Sequence, residues 1–140
     1  MRLGSPNNFC WLPFYKGSLM HTKPNPVLTP GHLCTANDVD FMGRRYPEQI
    51  PLCTRNILPE TKVAVLHQYN IPLADRDKYK IDHLIPLVLG GSNSIDNIWP
   101  QPIAEAKEKD KFVMDLYLRL KAGYITQQEA IQEIENWFYR

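Results

Sequence analysis

Asp82 and His83 stand side by side near the end of a short apolar run, and Asn97 follows fourteen positions after the histidine. Between them lies Gly90-Gly91-Ser92-Asn93. A carboxylate is the donor that hard divalent cations prefer. An imidazole takes up a proton near neutral pH. An amide can bond the backbone of a loop or fix the orientation of a ring. Such a set suits the hydrolysis of a phosphodiester. That reaction needs a nucleophilic hydroxide, neutralisation of charge at phosphorus and stabilisation of the leaving oxygen.

These side chains need a scaffold. Tyr79, Ile81, His83 and Ile85 alternate with Lys80, Asp82 and Leu84, the period of a strand over 79–85. Pro86 limits how far that strand can pair. The Gly-Gly-Ser-Asn segment is a turn signal, and Ile95 to Trp99 is expected to return as the second strand. Pro102 suits a first helical turn. The following helix carries an apolar stripe of Phe112, Val113, Leu116 and Leu120 and ends at Gly123 as a C′ glycine. Thr126-Gln127-Gln128-Glu129 forms a capping box for a last helix with Ala130, Ile131, Ile134, Trp137 and Phe138 on one face. Neighbouring strand residues point to opposite faces. Asp82 and His83 can therefore serve one cleft only if the strand ends, bulges or twists at that point.

The segment Asp82-His83-Leu84-Ile85-Pro86-Leu87-Val88-Leu89-Gly90-Gly91-Ser92-Asn93, followed by Asn97-Ile98-Trp99-Pro100-Gln101-Pro102, resembles the HNH, or ββα-metal, endonuclease superfamily. It is most similar to small bacterial HNH-like proteins, closely over 79–110 and loosely elsewhere, including Thr29-Pro30-Gly31 and Cys53. The resemblance implies an α+β fold with a hairpin-plus-helix ββα-metal core, and a metal-dependent endonuclease acting on DNA, with RNA as a further substrate. His83 would be the general base, assisted by Asn97. Asp82 would hold the metal, most simply Mg²⁺, with Mn²⁺, Ni²⁺ or Zn²⁺ as alternatives. The family places a second ligand, His or Asn, on the helix, where this chain has Ala106 and Lys107. Glu105, Glu108 and Asp110 are the nearby carboxylates that could replace it, Glu105 and Glu108 sharing a helix face. Alternatively Lys107 or Lys109 binds the phosphate directly. The runner-up is a catalytically degenerate module of the same fold that binds nucleic acid or protein. A third reading is an exported domain with a dedicated inhibitor or immunity protein.

The bulk of the sequence allows this and constrains it. A chain of 140 residues, 44% hydrophobic and 22% charged, has the composition of one globular domain. Its formal net charge of +1 is low for a sequence-independent duplex binder. Nucleic-acid binding must then rest on a local basic patch or a metal. Arg44, Arg45 and Arg55 are candidates, since guanidinium groups pair with phosphate in bidentate fashion. No run is long and apolar enough for a membrane span, and Met1 to Met20 lacks the apolar stretch of a signal peptide. A cytoplasmic and an exported location both remain open.

Prolines at 6, 13, 24, 26 and 30 make the first part of 1–58 an irregular arm, anchored by Phe9, Trp11, Phe14 and Tyr15. The rest of that region reads as irregular, with one short strand or helical turn. A short helix over 59–70 opens at Pro59, places Val63 and Leu66 on one face and ends near Asn70. Cys34 and Cys53 flank a turn-rich loop, either as a disulfide or as two buried thiols, and Cys10 is left unpaired. His32 lies two residues before Cys34, but no Cys-x-x-Cys pair supports a zinc site.

Overall fold

A computed structural model describes residues 23–140. The arm's expected anchors, Phe9, Trp11, Phe14 and Tyr15, and the unpaired Cys10 lie outside the described residues. The fold is α+β, with two small antiparallel hairpins and three α-helices among the described residues. No helix among the described residues is long and apolar enough to cross a membrane.

The first hairpin corrects the expectation that 34–58 is irregular. Strand β1 (Phe41–Arg45) pairs with β2 (Ile50–Cys53), with a register shift between Phe41 and Gly43. The turn between them uses left-handed backbone at Tyr46 and Gln49, residue types that carry no strong turn signal. Cys53, at the end of β2, is bonded to Cys34 with a Cα–Cα distance of 5.8 Å. That settles the two alternatives for this pair among the described residues.

Helix α1 (Pro59–Gln68) begins with proline at its first turn, as its sequence predicts. Val65 and Leu66 are buried, while Val63 lines a surface groove. A 3₁₀ segment (Leu73–Lys78) leads into β3 (Tyr79–His83), which pairs with β4 (Ile98–Pro102) in unbroken register from Tyr79–Pro102 to His83–Ile98. The second strand lies three residues later than expected, because Ile95–Asn97 forms a 3₁₀ turn. Prolines at 100 and 102 are tolerated because each strand of a two-stranded sheet has a free edge.

Helix α2 (Ile103–Lys121) crosses this hairpin and stops at Ala122, with Gly123 left-handed behind it. Helix α3 (Gln127–Phe138) starts at the Thr126–Glu129 capping box. The core gathers Leu84, Leu89, Trp99, Leu116, Leu120, Ile134 and Phe138, with Trp99 edge-on to Phe138 at 5.4 Å between ring centres. Each such side chain contributes about 1.5–3 kcal/mol on burial. Trp99 thus ties the second strand of the hairpin to α3, while Leu116 and Leu120 bring α2 onto the same cluster. That packing fixes which face of the hairpin α2 covers.

Candidate active site

Asp82 and His83 are the last two residues of β3, and both are buried. The strand carries no bulge; it ends there instead. Asp82 and Lys80 face α2, and the His83 ring lies on the opposite side toward Asn93. The carboxylate folds back along its own backbone, so Asp82 Oδ1 accepts the His83 N–H at 2.9 Å. Leu84 N–H donates to Asn97 O across the hairpin, which leaves the His83 N–H on the unpaired side. Asp82 Oδ1 also lies 3.8 Å from His83 Nδ1. A carboxylate and an imidazole from opposite faces thus meet at the strand end.

Asn93 holds the ring. His83 Nε2 lies 3.0 Å from Asn93 Oδ1. The Asn93 amide nitrogen donates to Asp40 Oδ2 at 2.9 Å and to Thr54 O at 2.8 Å, and Oδ1 also accepts the Asn56 N–H at 3.1 Å. Since both partners of the amide nitrogen are acceptors, its orientation is fixed. Oδ1 can only accept from the ring, so neutral His83 carries its proton on Nε2. Nδ1 is the nitrogen that lies toward Asp82. Asn93 was not singled out from sequence. Its position in a turn signal hid a contact with Asp40, 53 residues away.

Asn97 has the other role open to an amide. It is fully buried, accepts the Ile85 N–H at 3.0 Å and the His32 N–H at 3.3 Å, and donates to Ile85 O at 3.1 Å and Ser92 O at 2.8 Å. It closes the 84–97 loop and does not touch the ring, which corrects the expectation of a catalytic assistant. Gly91 belongs to the same device. A Cβ there would lie 1.8 Å from Ile85 O, so only glycine lets the loop close.

On the α2 side, Lys109 is 3% exposed and its ammonium donates to Asp82 Oδ2 at 2.5 Å. Lys80 adds a second ammonium 3.7 Å from the same oxygen. Burial pushes the Asp82 carboxyl up. The hydrogen bond from His83 and the Lys109 and Lys80 charges outweigh it, leaving the carboxyl well below the usual range. Lys109, considered as a phosphate ligand, is instead the ion-pair partner of Asp82.

The other expected ligands are distributed unevenly. Asp110 is exposed but lies 3.9 Å from Lys80 and 3.8 Å from Lys109, at the margin of the cluster. Glu105, half-buried in the first turn of α2, shares the face of Lys109 one turn away. Glu108 points away, exposed and paired with Lys111 at 3.5 Å. Ala106 and Lys107 supply no ligand, and Lys107 is exposed. A donor missed from sequence is Gln101. It pairs with Lys80 across the hairpin and so shares the face of Asp82. Its side chain is fully buried, and neither amide atom has a partner among the described residues.

Arg55 is brought to β3, donating to Ile81 O at 3.0 Å. Arg44 and Arg45 are carried on the first hairpin instead. Arg44 bonds its own turn at Gln49 O, and Arg45 lines a groove with Tyr117 and Lys121. Lys121 lies twelve residues from Lys109, about 18 Å along α2. Arg45 is therefore far from His83. Asp38 lies against Cys34 and Cys53, but their sulfurs bond each other and provide no thiolate for a metal. No family model, curated protein or solved structure matches this chain.

Proposed function

We propose that the chain is a metal-dependent endonuclease of the ββα-metal kind, with β3, β4 and α2 as its core. The observation that carries this reading is the His83 ring. Asn93 Oδ1 accepts from its Nε2, and Nδ1 lies 3.8 Å from the Asp82 carboxylate. In the proposed reaction His83 Nδ1 takes a proton from a water molecule directed at phosphorus. Lys80 contributes positive charge beside the bound phosphate.

The donor set fits a hard divalent cation, most simply Mg²⁺. Asp82 offers a carboxylate, and the unpartnered Gln101 amide lies on the same face. Such a cation accepts one or two protein oxygens and keeps several waters. When bound, it supplies charge stabilisation at phosphorus and at the leaving oxygen. Asp82 would hold such a cation only in competition with the Lys109 ammonium, which already occupies its carboxylate. Ala106, where the family has a ligand, then matters less than the competition between metal and Lys109.

That same Lys109 contact favours a second reading, a scaffold that binds nucleic acid or a protein partner without cleaving. The disulfide is at home in an oxidising compartment, which agrees with an exported protein and a dedicated inhibitor. A Mn²⁺ titration followed by calorimetry separates the two readings. The nuclease reading requires saturable binding that is lost in Asp82→Asn and strengthened in Lys109→Ala. Absence of binding in the wild type and in Lys109→Ala, with a DNA complex still formed, supports the second reading.

A further inference from the structure

A cavity of about 480 Å³ lies between α1, the 3₁₀ segment and β3. Its floor is apolar. Val63 and Leu73 are each 47% exposed there, beside buried Leu66 and half-buried Tyr79. Its rim is basic, with Arg55, Lys62, Arg76 and Lys80 against Asp77. Among the described residues neither Lys62 nor Arg76 is ion-paired. On a chain with a net charge of +1, four cations around one acid is a local concentration of charge. The apolar floor and the basic rim lie side by side, a surface that fits a ligand with an apolar face and an anionic group.

We propose that this groove binds one nucleotide unit of single-stranded nucleic acid, the base on the Val63–Leu73–Tyr79 floor and the adjoining phosphates on Lys62 and Arg76. The inference rests on the endonuclease reading and adds where the strand runs. Two residues of the groove connect it to the candidate site. Lys80 reaches Asp82, and Ile81 O holds Arg55 two residues before His83. A strand crossing His83 would therefore continue directly into the groove. Single-stranded binders join a basic track to aromatic or apolar platforms for unstacked bases. A duplex buries its bases and has no use for the floor. An acidic peptide would use the rim alone.

The test uses His83→Ala protein with a chelator, so that binding is read without cleavage. Fluorescence anisotropy of a labelled octathymidylate is compared with that of the Lys62→Ala/Arg76→Ala and Leu73→Asp variants. The substituted side chains are exposed, and circular dichroism confirms the fold. The double variant should weaken binding at least tenfold and lower the salt slope by about 1.4, two phosphate contacts on a single strand. Leu73→Asp should also weaken binding at least tenfold, while duplex of the same sequence binds less well than the single strand. Unchanged affinity in both variants, or a polyglutamate peptide that displaces the oligonucleotide as well as free oligonucleotide does, overturns the proposal. Plasmid nicking by the same groove variants on the His83 background tells the two failures apart. If nicking survives while oligonucleotide affinity never responds to the groove, the groove alone is lost.

Discussion

Asn93 Oδ1 lies 3.0 Å from His83 Nε2, and every other polar atom of the Asn93 side chain is committed to the loops that precede β1 or follow β2. The imidazole is therefore positioned by the first hairpin and presented by the second. Asn93→Ala leaves a buried N–H without a partner, a cost of about 1–3 kcal/mol in chemical denaturation. Asn93→Asp keeps an acceptor at Nε2 but sets a carboxylate oxygen against Asp40 and the Thr54 carbonyl, so its stability is measured alongside its activity. A carboxylate at Nε2 favours the imidazolium, so the acid limb of the pH–activity profile should move to higher pH. A profile unchanged in Asn93→Asp removes Asn93 from this role.

The Asp82–Lys109 pair is nearly sealed from water. Removing the ammonium alone, in Lys109→Met, strands a buried carboxylate at a cost of about 3–5 kcal/mol. Asp82→Asn combined with Lys109→Met should recover much of that, and urea denaturation of the three proteins checks it. The pH dependence has a definite sign. The folded-state value of Asp82 lies below its unfolded value, so its contribution is complete above about pH 3.9 and is lost as pH falls below that. In Asp82→Asn the loss of stability between pH 4 and pH 2 should be shallower.

The disulfide joins residues nineteen apart, and Thr54, whose carbonyl holds Asn93, immediately follows Cys53. Reduction should destabilise the fold by about 3 kcal/mol on the chain-entropy account. Activity should fall with it, because the Thr54 carbonyl loses its anchor. Thermal melts and nicking rates with and without dithiothreitol read both effects. An identical melting temperature after complete reduction contradicts a structural role for the bridge.

The capping box offers a control remote from the chemistry. Thr126 accepts the Glu129 N–H at 3.1 Å, and Glu129 accepts the Thr126 N–H at 2.9 Å. Thr126→Ala should cost about 1 kcal/mol in denaturation. Oligonucleotide affinity should not change.

The parts of the fold that local rules govern were legible in the sequence. The proline that opens α1, the apolar stripe of α2, Gly123 and the Thr126–Glu129 box all follow from spacing of a few residues, and each stands where it was expected. The first hairpin was not legible, because Tyr46 and Gln49 adopt left-handed backbone without being glycine or asparagine. In the candidate site, Asp82 and His83 stand adjacent at the end of β3, a proximity that the sequence itself displays. The site's architecture depends on contacts across long separations. Lys109 reaches Asp82 from 27 residues away and Asn93 reaches Asp40 from 53. A lysine in a charged helix reads as solvated until the packing of Leu116 and Leu120 turns that face onto the hairpin.

The central claim is that His83 is the base of a metal-dependent phosphodiesterase. The most direct measurement is the initial rate of nicking of supercoiled plasmid in Mg²⁺ or Mn²⁺ by the wild type and by His83→Ala. The account predicts nicking by the wild type that a chelator abolishes, and a rate lower by about 10²–10⁴-fold in His83→Ala. Equal rates in the two proteins, or no nicking by the wild type with either ion, would contradict it.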